Sequence, residues 1–185
     1  MVSTLLVITA VAAFALAGVY ELTKEPIAQA KMAKKIAALN QVLPGFDSVI
    51  SKEVVIPTLA MPLGFNFAVK DGDTVGVAIE TFTMSGFSGL IRAMVGFKPD
   101  GTIIDVVHLE HKETPGLGDK IEKSKSSWSD QYKGKNPGTF NLKVSKDGGG
   151  IDAITAATIT SRAYSDAIQR AYDAFQEQKG GMNHE

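Results

Sequence analysis

The segment from Val2 to Tyr20 constrains the fold of this chain most, because it contains no charged residue and is hydrophobic all round. A helix that spans a bilayer needs about 20 consecutive, mostly apolar residues, and this segment just reaches that length. Tyr20 stands where an interfacial aromatic residue would lie. We therefore expect residues 1–22 to form a transmembrane anchor that is retained. A cleaved signal peptide is the alternative, because residues 10–17 are rich in alanine.

Composition limits the chemistry of the rest. The chain has 185 residues, enough for one ordinary domain and an extra element. Its net charge of −1 gives no electrostatic support to nucleic-acid binding. The absence of cysteine excludes disulfides, cysteine-ligated iron–sulfur clusters and thiol catalysis. A redox function would therefore depend on a bound cofactor, and no catalytic side chain is expected.

The three histidines do not predict a metal site. His184 lies in the C-terminal tail. His108 and His111 are three positions apart where a predicted strand passes into a loop, so they are not expected to share one helical face. A metal ion needs several ligands in a defined geometry, and we expect none here.

A juxtamembrane helix and linker are predicted over residues 23–48. Apolar residues recur at helical spacing from Pro26 to Asn40, and Pro44 with Gly45 should end this helix. Its polar side carries three lysines, which we interpret as a solvated face; contact with anionic lipid headgroups is the alternative. These lysines are Lys31, Lys34 and Lys35.

The middle of the chain has the pattern of a β-sheet. Five short runs are rich in β-branched and aromatic residues, and turn signals at 71–73 and 99–101 favour antiparallel hairpins. The predicted strands are Val49–Ile56, Phe65–Val69, Val75–Phe82, Leu90–Phe97 and Thr102–Leu109.

The C-terminal part is predicted to add helices to this sheet. We expect a helix over Asp119–Lys133, a short strand over Phe140–Val144 and a last helix over Thr158–Gln178. The fold class is therefore α+β, an antiparallel sheet with packed helices, spanning residues 49–180. Residues 181–185 form a polar tail.

A threonine-rich stretch precedes the last helix. Two alanines separate Thr155 from Thr158, Ile159 separates Thr158 from Thr160, and a glycine-rich segment at 147–150 leads in. The start of a helix offers unpaired backbone N–H groups and the positive end of its dipole, which suits a phosphate group. The alternative is a threonine-rich helix cap and nothing more.

A second stretch, Glu113-Thr-Pro-Gly-Leu-Gly, reads as a loop. Proline fixes φ and lacks an N–H donor, and the two glycines allow tight turns and close approach of a ligand. Pro-Gly by itself would indicate only a structural loop.

The threonine stretch resembles the Asp-x-x-Ser/Thr-Gly-Ala-Thr signature of proteins that carry FMN on a threonine through a phosphoester bond. The matching residues are Asp152, Thr155, Ala157 and Thr158, while Ala156 stands where the family usually has glycine. Alanine resists a backbone conformation with φ > 0. The resemblance implies that a dedicated flavin transferase attaches FMN to Thr158.

Two further motifs narrow the resemblance. The string from His111 to Gly118 is similar to a second signature of the same FMN-binding family. The segment Ser85–Arg92 resembles the G subunit of the Rnf-type ferredoxin:NAD⁺ oxidoreductase. The related C subunit of the sodium-pumping NADH:quinone reductase shares the flavin motifs, and we expect it to differ in this segment.

The resemblance implies a function and a location. It implies an electron relay through covalent FMN within an ion-pumping complex of the inner membrane, with the flavin domain outside the cytoplasm and no turnover by the subunit alone. The implied partners are the other membrane subunits, the flavin transferase and membrane lipid, with no nucleic acid.

The resemblance also assigns roles to the site residues. Thr158 carries the phosphate, and the hydroxyls of Thr155 and Thr160 hold its oxygens. Backbone N–H groups near Ala156 and Ala157 do the same. Asp152 is a transferase-recognition and capping residue rather than a phosphate ligand, since two anions repel. The predicted wall against the isoalloxazine ring consists of Glu113, Thr114, Gly116, Leu117 and Gly118.

Two of these roles have alternatives. Glu113 either bonds flavin nitrogens or caps its own turn, and residues 85–88 contact either the flavin or a neighbouring subunit. Two other functions remain as well. One is a stand-alone membrane-anchored FMN reductase, although no Gly-x-Gly-x-x-Gly motif supports a nicotinamide site. The other is a non-catalytic scaffold.

Overall fold

The computed structural model describes residues 1–43, 45–57 and 59–182. The chain forms two compact units, Met1–Ile36 and Ala37–Glu185. Helix α1, Val2–Val42, supplies the first unit, and its last turns belong to the second. By length and composition α1 can cross a membrane.

The predicted anchor and juxtamembrane helix are one helix rather than two. Pro26 lies inside α1 without ending it. Its ring removes one hydrogen bond, but the residues that follow are mostly alanine and lysine, which favour the helix. The helix ends at Val42. Pro44, which was predicted to end it, lies outside the described residues.

The second unit contains a five-stranded antiparallel sheet in which neighbouring strands are consecutive in sequence. All five predicted strands are confirmed, with shifted ends. Asp71 and Gly72 have φ of 52° and 90° in the β2–β3 turn, as a tight hairpin requires. The strands are β1 Ser48–Val54, β2 Leu63–Lys70, β3 Asp73–Gly86, β4 Gly89–Phe97 and β5 Ile103–His111.

Helix α2, Thr158–Met182, covers one face of the sheet. The Thr81 hydroxyl donates to the Ala167 carbonyl at 3.0 Å, and the rings of Phe97 and Phe175 stack with centroids 5.4 Å apart. These contacts fix the helix against β3 and β4, and thereby fix where it begins. Other buried residues of this core include Ile79, Val95, Tyr164, Ile168 and Ala171.

The opposite face of the sheet packs against the last turns of α1. Ala38 and Val42 are buried with Ala78 and Met94 of the sheet. The Gln41 side chain adds a hydrogen bond of 3.2 Å to Asp105 on β5. With helices on both faces of an antiparallel sheet, the α+β fold class is confirmed.

The predicted helix over 119–133 is wrong. The segment instead forms two 3₁₀ helices, Gly118–Ile121 and Trp128–Tyr132. The Ser126 hydroxyl accepts the Trp128 backbone N–H at 3.1 Å. This side-chain bond competes with the backbone hydrogen bonds of a regular helix. The Trp128 indole N–H donates to the carbonyl of Asp152, a tertiary contact that fixes the ring against the segment before α2.

The predicted strand over 140–144 is also wrong. Only Val144 forms a bridge, with Ile151. The side-chain oxygen of Asn141 accepts the Lys143 N–H at 3.1 Å. The backbone carbonyl of Asn141 accepts the Gly150 N–H at 3.0 Å, so the segment folds around the glycine-rich loop. Helix α2 extends to Met182 and so includes residues 181 and 182, which were predicted to belong to the tail. Residues 183–185, including His184, lie outside the described residues.

Candidate cofactor site

A cavity of about 300 Å³ lies where the start of α2 meets the loop after β5 and the β3–β4 hairpin. It collects most of the predicted site residues from distant parts of the sequence. Thr155 and Gly116 are not in its wall. Its lining residues are Phe87, Glu113, Thr114, Leu117, Gly118, Ala156, Ala157, Thr158, Ile159 and Thr160.

The first turn of α2 faces this cavity. The Ser161 N–H donates to the Ala157 carbonyl at 3.0 Å, which is the first hydrogen bond of the helix. The N–H groups of residues 158–160 precede it and have no helical acceptor. Thr158 is half-buried, and it is the first residue of the helix. Its position therefore combines a hydroxyl group with the positive end of the helix.

Ala156 adopts the left-handed conformation, with φ of 63°. The Ala157 N–H donates to the Ile154 carbonyl at 3.0 Å, so Ala156 is the third residue of a tight turn. A turn with positive φ at this position ordinarily requires glycine. The structure therefore places Ala156 in a conformation that alanine resists. The strain costs about 1–2 kcal/mol.

Glu113 joins the three segments around the cavity. Its side chain is buried, with 4% of the residue exposed. One carboxylate oxygen accepts the Ser88 N–H at 3.0 Å, and the other accepts the Thr160 hydroxyl at 2.5 Å. Both oxygens thus accept hydrogen bonds from within the protein, one from the hairpin and one from α2.

Two glycines leave the space that the Glu113 side chain fills. A Cβ atom at Gly118 would lie 2.7 Å from one carboxylate oxygen of Glu113 and 2.8 Å from the Thr160 hydroxyl oxygen. A Cβ atom at Gly86 would lie 2.7 Å from the other carboxylate oxygen. A side chain at either position would displace the carboxylate, so both motifs need glycine for close packing.

The Thr160 hydroxyl, which was expected to hold a phosphate oxygen, is hydrogen-bonded to Glu113. Thr160 lines the cavity and is 1% exposed. Its hydroxyl group has one proton, which it donates to Glu113. A phosphate oxygen is an acceptor and would compete with Glu113 for this proton.

A cluster of His108, His111 and Glu122 lies beside the loop. The two histidines do not share a helical face, as expected, but they lie side by side on β5, with ring centroids 5.4 Å apart. The register of β4 and β5 pairs Ile91 with His111 but Ala93 with His108. One extra residue on β5 therefore forms a bulge, and both histidines point to the same side. The sequence carries no signal for such a bulge.

These three residues offer ligand atoms within 4.8 Å of one another, but their hydrogen bonds are not those of a metal site. The His111 Nδ1 atom accepts the Glu113 N–H at 3.1 Å. Its Nε2 atom lies 2.8 Å from Glu122, and the Lys125 ammonium lies 3.0 Å from the same carboxylate oxygen. A histidine that binds a metal donates through its other nitrogen, whereas this Nδ1 atom accepts.

Lys125 also sets the charge state of this side of the loop. Its hydrogen bond, aided by the Gly116 N–H, lowers the pKa of Asp119. Burial raises the pKa of Glu122, but hydrogen bonds from Lys125 and His111 outweigh burial and lower it overall. Both carboxylates are therefore ionised at neutral pH, and Lys125 bridges them at 2.9 and 3.0 Å.

Exposed apolar side chains surround the mouth of the cavity. Phe87, Leu117 and Ile159 are 67%, 40% and 50% exposed, and all three contribute to the cavity wall. Sequence reasoning missed Ile159 as a site residue, whereas Phe87 belongs to the segment 85–88, for which flavin contact was one of two alternatives. The signal for Phe87 was a large aromatic residue in a hairpin of serines and glycines. Ile159 had a weaker signal, as an apolar residue between two threonines at the helix start.

Two regions of the chain, one in the sheet domain and one in helix α1, match known protein families. Residues 86–173 match the FMN-binding domain family, and this range contains every residue of the cavity wall. The fold and the site therefore define a flavin-binding class of domain. Residues 3–42 match a second family, described as the RnfG N-terminal region.

Full-length relatives define the family further. The chain is 40% identical to the G subunit of the ion-translocating oxidoreductase complex of Vibrio atlanticus over 162 residues, which cover 81% of this chain and 77% of the relative. It is 38% identical to the protein of the same name from Aliivibrio fischeri, covering 95% of this chain and 91% of the relative. The chain belongs to this family of G subunits, which confirms the resemblance found in the sequence.

Proposed function

We propose that the cavity holds FMN, joined through its phosphate to the Thr158 hydroxyl, and that this protein relays electrons within an ion-translocating oxidoreductase complex. The observation that carries the proposal is the position of Thr158. It is the first residue of α2 and lies in the wall of a cavity shared with the Glu113–Gly118 loop. When bound, FMN supplies the one- and two-electron chemistry that the side chains lack.

The described residues fit the two ends of FMN. A phosphate ester at Thr158 would lie among the free N–H groups of the first helical turn, which favour an anion. The apolar rim of Phe87, Leu117 and Ile159 suits the flat isoalloxazine ring. The cavity volume of about 300 Å³ is at the lower end of the range for small-molecule sites, about 300–1,000 Å³. Part of the ring would thus stay outside, accessible to a redox partner.

Attachment of FMN needs an activated donor and a transferase. The Thr158 oxygen forms the new bond to phosphorus and loses its proton. The bond from phosphorus to the leaving group of a flavin phosphoanhydride donor breaks, and that group departs with its electron pair. Thr155 and Asp152 are exposed beside this position, where a transferase can reach them. Thr160 and Glu113, in contrast, are buried and act by holding the turn in place.

The same proposal includes a location and partners. Helix α1 anchors the chain in the cytoplasmic (inner) membrane, in contact with lipid, and the flavin domain lies on the extracytoplasmic side. Electrons enter and leave through other membrane subunits, so the protein has no turnover alone. The charge-free start of α1 supports the anchor, and the membership of the G-subunit family supports the complex.

Mass spectrometry tests the attachment. The chain is expressed with a flavin transferase, and the peptide that contains Thr158 should gain the mass of FMN minus water. Thr158→Ala should abolish the gain, whereas Thr74→Ala, a matched change at an exposed threonine of β3 outside the cavity wall, should retain it. Thr158→Ser should restore attachment at least in part, since serine keeps the hydroxyl. An unmodified wild-type peptide from these cells would reject the covalent site.

Reduction kinetics test the relay. The FMN-loaded chain in detergent should be reduced by dithionite and show no rapid turnover with NADH. In the assembled complex, Thr158→Ala should stop electron transfer while all subunits remain associated. Efficient NADH oxidation by the isolated protein would instead favour a stand-alone reductase.

A further inference from the structure

We propose that His111 is the positioning residue of the FMN cavity. Its ring joins the backbone of Glu113 to the side chain of Glu122. This inference rests on the proposed flavin site, because it concerns the residue that orients the wall of that site. His111 itself does not line the cavity.

The ring is held at both nitrogens. A backbone N–H can only donate a hydrogen bond. The Glu113 N–H lies 3.1 Å from the His111 Nδ1 atom, which must therefore carry a lone pair. The neutral ring must then carry its proton on Nε2. That proton is directed at the Glu122 carboxylate, 2.8 Å away, which Lys125 and His111 together keep ionised. Glu122 thus fixes the tautomer that Glu113 needs.

The effect of this link reaches the cavity within one residue. The backbone of Glu113 is held by His111, and its carboxylate is held by Ser88 and Thr160. If the Glu113 backbone loses its hydrogen bond to His111, its position is less restrained. The Glu113 carboxylate then no longer accepts hydrogen bonds from both Ser88 and Thr160 in a fixed geometry. The start of α2, with Thr158, and the hairpin, with Phe87, would then lose their common support.

Three charged groups lie near the ring. His108 contacts His111 edge-on, Glu122 accepts from it, and the Asp119 carboxylate lies near enough for its charge to act on the ring. Lys125 bridges Asp119 and Glu122. This single ammonium compensates one of the two carboxylate charges, and Glu122 also accepts the Nε2–H of the neutral imidazole.

Two variants separate the roles of the two nitrogens. In His111→Asn the side-chain oxygen is attached to Cγ, as Nδ1 is, so the acceptor for Glu113 is kept and the contact with Glu122 is lost. In His111→Gln the amide is one carbon further out, so a donor for Glu122 is kept and the acceptor for Glu113 is lost. Both side chains are polar and smaller than or similar to histidine, which makes them matched controls for packing.

The first measurement is made on the full-length chain without FMN, in detergent. Labelling histidine with ¹⁵N gives three residues to assign. The imidazole spectrum of His111 should show an unprotonated Nδ1 and a protonated Nε2. A proton on Nδ1 would overturn the proposal. Stoichiometric binding of Zn²⁺ to His108, His111 and Glu122 would also overturn it, because a metal on Nε2 demands the opposite tautomer.

The second measurement is hydrogen exchange at the Glu113 amide in the same FMN-free protein. Loss of one hydrogen bond should speed exchange by about tenfold in His111→Gln, with the exchange of β3 and β4 unchanged. His111→Asn should stay near the wild type. Equal exchange in both variants would reject the link, and so would faster exchange of β3 and β4 together with the Glu113 amide in His111→Gln.

The third measurement uses the FMN-loaded protein. The reduction potential should change in His111→Gln and stay near the wild-type value in His111→Asn. An unchanged potential in both would overturn the proposal. A wild-type chain with the expected tautomer but no FMN on Thr158 would reject only the covalent site, so the two failures are distinguishable.

Discussion

The Thr160 hydroxyl donates to the buried carboxylate of Glu113 across 47 positions of sequence. This single contact joins the start of α2 to the loop after β5. The same carboxylate also accepts the Ser88 N–H from the β3–β4 hairpin. The geometry of the cavity therefore depends on one acidic side chain and its two donors.

Thr160→Val should lower the stability of the protein. Valine keeps the shape of threonine but leaves one buried carboxylate oxygen without its donor. Hydrogen bonds to charged groups contribute about 1.5–3 kcal/mol, so we expect a loss of free energy of unfolding in that range. Denaturant unfolding measures it. Thr155→Val, at an exposed hydroxyl, should change stability by less than about 0.5 kcal/mol; equal effects of the two changes would contradict the role of the contact.

Ala156→Gly should stabilise the protein. Glycine relieves the strain at φ of 63°, and its gain is partly offset by the greater freedom of glycine in the unfolded chain. The expected net gain is about 0.5–1 kcal/mol. Ala157→Gly is the control, because Ala157 is buried in the core and should lose stability on the same change. FMN attachment should persist in Ala156→Gly; a loss of stability would contradict the strained turn.

Lys125→Met should lower stability near neutral pH and have a smaller effect in acid. The pKa values of Asp119 and Glu122 are lowered in the folded protein. Their stabilisation is therefore complete above the unfolded pKa values of about 4. It is lost as the pH falls through the lower folded values.

Thermal melting of the wild type and Lys125→Met checks this at several pH values. The difference in melting temperature should be constant above about pH 5 and shrink below about pH 4. Lys70→Met changes a lysine at the end of β2 and serves as the control, with no such pH dependence expected. A difference that grows in acid would contradict the assignment.

Helix α1 should remain in the membrane. Residues 2–20 carry no charge, and the full chain should resist extraction by alkaline carbonate. A chain that begins at residue 37, where the second compact unit starts, should be recovered in the soluble fraction. N-terminal sequencing of the mature protein provides the second measurement. A mature N-terminus between residues 10 and 24 would show a cleaved signal peptide instead.

The sequence by itself determined the long apolar helix at the N-terminus, the strands and the motifs of the flavin-binding domain. A charge-free run, alternating strand patterns and glycine turns are local properties, so they can be read without tertiary structure. Thr158 and the loop from Glu113 to Gly118 were predicted for the same reason, since their motifs are contiguous.

Tertiary structure decided the segments whose hydrogen bonds go to distant partners. The segment 119–133 has helical periodicity, but Ser126 and the contact from Trp128 to Asp152 favour two short 3₁₀ turns. The bulge in β5 brings His108 beside His111, and periodicity predicts strict alternation instead. Glu113 finds its donors in a hairpin and a helix that no local pattern relates to it. The conformational preference of a segment depends on its own residues and near neighbours. The hydrogen-bond partners named above come together only when the whole sheet has formed.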